Sequence, residues 1–69
     1  MQNLKRYEIK KIEVRISEYK NYLRATDYLA IKFAEGVLTA EEYAETKALR
    51  ESWRAEINRL EKEVNGNGI

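Results

Sequence analysis

The nine residues Glu35-Gly36-Val37-Leu38-Thr39-Ala40-Glu41-Glu42-Tyr43 stop one helix and start another. Gly36 suits the left-handed backbone just past a helix end, and Val37 is placed to fold back onto Ile31 or Lys32. Thr39 and Glu42 have capping-box spacing. The Thr39 hydroxyl accepts from the Glu42 N–H, and the Glu42 carboxylate reaches back to the cap. Leu38 before the cap and Tyr43 at the fourth helical position make a hydrophobic staple. Glu41, Glu42 and Glu45 bring negative charge to the positive end of the helix dipole. A connection as short as 36–39 makes the flanking helices antiparallel neighbours.

Outward from this turn there is little else to break a helix. Proline is absent, and the other two glycines stand at positions 66 and 68. The remaining sequence is rich in Glu, Lys, Arg, Ala, Leu and Ile, all compatible with helix. The pattern predicts helices over about 3–35 and 40–64, no strand, a single hairpin domain over 1–64 and a flexible tail over 65–69. The fold class is all-α: an antiparallel, coiled-coil-like two-helix hairpin.

Placing residues at about 100° each defines the faces. On the first helix Ile9, Ile12, Ile16, Tyr19, Leu23, Thr26, Ala30 and Phe33 alternate at spacings of three and four. On the second, Tyr43, Thr46, Leu49, Trp53, Ile57, Leu60 and Val64 form the expected matching seam. Folding about the turn sets Tyr43 near Phe33, Trp53 near Tyr22 or Leu23, Leu60 near Ile16, and Thr46 near Ala30. At about 1.5 Å per residue the helices run to roughly 50 and 37 Å, so the first two turns, with Leu4 and Tyr7, are expected to overhang.

A second apolar set, Leu4, Tyr7, Val14, Tyr22 and Leu29, lies off this seam on another face of the first helix. The second helix adds a small-residue face of Ala44, Ala48 and Ala55. A hairpin this small buries little surface, so the second set is expected to pack against another copy, giving a helical bundle, or against a larger protein assembly.

Chemistry is scarce. The 69 residues include neither Cys nor His, which removes thiol and imidazole catalysis and the usual zinc ligands. There is no phosphate-binding glycine loop or nucleophile elbow, so no catalytic residue, cofactor, metal or small-molecule substrate is expected. Glu41, Glu42 and Glu45 read as capping residues, and Asp27 as an ion-pair partner of Lys20, Arg24 or Lys32. No apolar run reaches the length of a membrane span, and the first residues lack a secretory apolar stretch; the expected location is the cytoplasm of a bacterial host, or a virion.

Residues 1–24 carry seven basic and three acidic side chains, net +4, whereas 25–49 carry two and five, net −3. The basic half offers Lys5, Arg6, Lys10 and Lys11 as a possible nucleic-acid contact, and with it the alternative of a small regulatory or host-factor-binding protein. Against that stands a total charge of only +1 and no dense basic stripe; a solvated helical surface is the simpler reading.

The run from Tyr22 to Tyr43, with Leu23-Arg24-Ala25-Thr26-Asp27-Tyr28, Glu35-Gly36 and Glu41-Glu42-Tyr43, continues into Arg50-Glu51-Ser52-Trp53-Arg54-Ala55-Glu56-Ile57-Asn58. Across about residues 19–61 this pattern resembles a small helical segment of phage and prophage proteins, often tail-associated or uncharacterised. The resemblance implies a phage-related origin and a structural or interaction role, and it supplies no catalytic residue.

Overall fold

The structure, a computed structural model, describes residues 4–67, with side chains through Gly66. Two helices, α1 (Arg6–Ala34) and α2 (Ala40–Asn67), pack antiparallel as a hairpin measuring 47 × 18 × 16 Å. The expected helix start at residue 3 and the end of the expected tail, 68–69, lie outside the described residues.

The turn is built by its backbone. Gly36 takes φ +79°, the Gly36 N–H donates to the Phe33 carbonyl at 3.1 Å, and the Val37 N–H donates to the Lys32 carbonyl at 2.8 Å. These two bonds close a Schellman motif and satisfy carbonyls at the end of α1. The Val37 side chain, 64% exposed, is not buried by the fold-back. At the start of α2 both halves of the capping box form: Glu42 N–H to Thr39 Oγ1 at 3.1 Å, and Thr39 N–H to Glu42 Oε1 at 2.8 Å.

The start of α1 is capped less completely. Glu8 Oε1 accepts from the Lys5 N–H at 3.2 Å, but an ammonium has no lone pair with which to accept the reciprocal bond. Half of a capping box results.

Two expectations about length are corrected. Helix α2 continues through Asn65 and Gly66 to Asn67, because extending an existing helix needs no new nucleus, even through weak helix formers. With 29 residues in α1 and 28 in α2, the helices are nearly equal in length, where the expectation had α1 the longer by about a third.

The core is thin. Tyr43, Ile57 and Leu60 are the buried apolar residues among those described, all of them on α2. Ile9, Ile12, Ile16, Tyr19 and Leu23 of α1, with Trp53 and Val64 of α2, are half-buried. Phe33 stacks on Tyr43 with ring centroids 4.7 Å apart, closing the core below the turn, although Phe33 itself remains partly exposed.

Candidate interaction surface

The register is set by a polar layer. Arg50 is only 6% exposed, while Leu49, assigned to the seam by its hydrophobicity, is 45% exposed. With Arg50 in place of Leu49, the α2 seam reads 43, 46, 50, 53, 57, 60 and 64, the same three–four alternation as α1. The guanidinium fits because α1 supplies acceptors at that level. Arg50 Nη1 donates to the Leu23 carbonyl at 2.7 Å and to Thr26 Oγ1 at 2.6 Å, and Nη2 to Asp27 Oδ1 at 2.9 Å. Thr26 in turn donates its hydroxyl hydrogen back to the Tyr22 or Leu23 carbonyl, at 2.9 and 3.1 Å. Asp27 therefore pairs across the hairpin rather than with the neighbouring bases of its own helix.

This seam divides the surface of the hairpin into two flanks and two backs. On one flank Lys20 meets Glu61 at 3.7 Å, and Asp27 meets Arg50. The other flank is aromatic and aliphatic. Tyr22 leans on Trp53 with centroids 5.4 Å apart, and Tyr19 meets Tyr22 edge-on at 6.1 Å. Leu29, seven residues after Tyr22, continues that stripe on α1; Leu49, one turn before Trp53, enters it from α2. Tyr22 and Leu49 are each 45% exposed. The aliphatic side chain displaced from the seam thus becomes part of an apolar flank.

The five residues expected to form one second face are consequently divided. Tyr22 and Leu29 lie on the flank, against α2. Tyr7 and Val14, with Tyr28, repeat at multiples of seven on the outward side of α1, 61%, 54% and 56% exposed. Leu4 is half-buried ahead of the helix. The cause is geometric: a seam with a 3.5-residue repeat drifts around a 3.6-residue helix, so angles summed over seven turns merge faces that are locally distinct.

The candidate basic contact is not assembled into a stripe. Arg6 and Lys10 are one turn apart and share a shallow groove with Tyr7, Ile9 and Glu13. Lys11 is rotated about 100° from Lys10, and Lys5 precedes the helix. Nearer the middle, Arg15 donates to the Tyr19 hydroxyl at 3.2 Å and lies 5.9 Å from that ring's centre.

Exposed carboxylates are tuned by local donors. The Thr39 backbone N–H, followed by its hydroxyl, holds Glu42 below the ordinary carboxylate range. A hydrogen bond from Arg59 does the same for Glu56, at an ion-pair distance of 2.7 Å, and Arg59 is raised in turn. Among the described residues, no group of three or more His, Cys, Asp and Glu side chains is placed to hold a metal ion. No helix among them is long and apolar enough to cross a membrane.

Fold and surface together define a small antiparallel helical hairpin whose two helices share an exposed aromatic flank. No protein-family model, curated protein or solved structure matches the chain.

Proposed function

We propose that the chain is a non-enzymatic protein-interaction module that works through helix–helix contacts and self-association, within a structural assembly of phage origin. The flank carries this reading: Tyr22 and Leu49, nearly half exposed, lie beside Leu29 and Trp53 on a hairpin with three buried apolar side chains among the described residues. Burying such a flank adds apolar area that the hairpin lacks, at about 25 cal/mol per Å². The phage assignment is supported by the resemblance of residues 19–61. Nucleic-acid binding is the competing reading, but Lys5, Arg6, Lys10 and Lys11 do not share one face.

The test is sedimentation equilibrium over a range of concentrations, on the native chain and on Tyr22→Asp combined with Leu29→Asp. The native chain is expected to associate and the double variant to stay monomeric and helical. Equal masses for both at every concentration would refute self-association through this flank. Retention on DNA or RNA that falls steeply with salt would support the competing reading instead.

A further inference from the structure

The partner on the flank, and the direction in which it lies, follow from size and charge. The hairpin is 47 Å long and 18 × 16 Å across, and the flank of Tyr22, Leu29, Leu49 and Trp53 occupies the middle of one long face. A matching flank on a second copy therefore covers it without any further element. Charge then selects the direction. Residues 30–46, forming the tip, carry Lys32 against Glu35, Glu41, Glu42 and Glu45, net −3; the rest of the chain, from a total of +1, carries +4. Side-by-side pairing in the same direction sets two acidic tips against each other. Pairing in opposite directions sets each acidic tip beside the basic body of the other copy.

We infer that two copies of the chain pair flank to flank about a two-fold axis, antiparallel, with Leu49 of each packed over Tyr22 and Trp53 of the other. Such an interface is isologous: one patch covers itself, so the assembly closes at two copies. Leu49 sits one turn nearer the tip than Trp53, and a two-fold axis between them brings each over the other's counterpart. Four helices then surround Tyr22, Leu29, Leu49 and Trp53. The inference rests on the proposed self-association and adds the partner, its direction and its register.

The absence of native cysteine makes the orientation directly measurable. Ser52 is exposed on α2 beside Trp53, at the level of the proposed axis, where α2 of one copy lies over α2 of the other. Ser52→Cys, treated with a short bismaleimide, is expected to cross-link to itself, whereas in a same-direction pair the two α2 helices lie on opposite edges and the sulfurs are out of reach of each other. A chain that sediments as a dimer but whose Ser52→Cys form does not cross-link would overturn the antiparallel direction while leaving the proposed self-association standing. A helical monomer at all concentrations would overturn both. Leu49→Asp is the companion variant: it is expected to weaken dimerisation at least tenfold with helicity retained, because it buries a carboxylate in the interface and not in the hairpin seam. Unchanged dimerisation in Leu49→Asp would remove Leu49 from the contact and overturn the register.

Discussion

Arg50 places a charge in a seam otherwise made of aromatic and aliphatic side chains with Thr26 and Thr46, and its surroundings make that tolerable. Its three partners are acceptors already present on α1, and Asp27, 56% exposed at the side chain, neutralises it from the hairpin edge. Such a layer fixes alignment as well as stability, because sliding the helices by one turn would strand the guanidinium without acceptors. Arg50→Ala is expected to lose about 2 kcal/mol, from packed side-chain stem and charge-assisted hydrogen bonds together. Asp27→Ala should cost less than about 1 kcal/mol, since the carboxylate is largely solvated. Leu49→Ala should also cost less than about 1 kcal/mol in dilute solution, where the flank stays uncovered. Urea midpoints of the three variants check this order, and a larger loss at Leu49 than at Arg50 would reverse the seam. Hydropathy alone could not read this position. The three–four spacing did contain it, but an inward arginine becomes credible only once Leu23, Thr26 and Asp27 are known to face it.

The helices are specified mainly at their ends, and there the sequence is most readable because the chemistry is local. Gly36 and the Thr39–Glu42 pair act within a few residues, so spacing alone gave both the stop and the restart. The far end of α2 was less legible: Asn and Gly read as a tail, yet the helix propagates to Asn67. The contrast between a complete box at Thr39 and half a box at Lys5 leads to a stabilising substitution. The Glu8 N–H donates to the Lys5 carbonyl at 2.9 Å; Lys5→Ser adds a side-chain acceptor at the cap and should add about 0.5 kcal/mol, read as a higher thermal or urea midpoint. The completed box also predicts acid behaviour. Glu42 has a folded-state pKa below its unfolded value, so its contribution is present above the ordinary carboxylate range and is lost as pH falls through the depressed folded value. Glu56, held low by Arg59, acts in the same direction. Glu42→Gln keeps an acceptor oxygen but cannot titrate; its stability should therefore decline less than that of the native chain on acidification. Parallel acid profiles of urea midpoint for the two chains would show that the box does not carry this dependence.

At the scale of the whole molecule, the hairpin is an incomplete packing solution. The α1 helix contains no residue that counts as buried, although its seam positions face α2, since two helices can cover only one side of each other. The second apolar set was visible in the sequence as composition, but its division between flank and outer back required the seam itself, which drifts along each helix. Association through the flank makes a thermodynamic prediction independent of any cross-link. If folding and pairing are coupled, unfolding separates two chains, and a tenfold rise in protein concentration should add roughly 1.4 kcal/mol to the apparent stability of the dimer. The urea midpoint should therefore climb with concentration in the native chain and stay flat in Leu49→Asp. Salt separates the two forces involved. Raising ionic strength from 0.1 to 1 M shortens screening from about 10 to 3 Å, which removes the preference of acidic tip for basic body but leaves apolar burial intact. The concentration dependence should persist at 1 M salt, while the directional bias read by Ser52→Cys cross-linking weakens. A dependence that vanished at 1 M would make charge, rather than the Tyr22–Leu49–Trp53 flank, the force that holds the copies together.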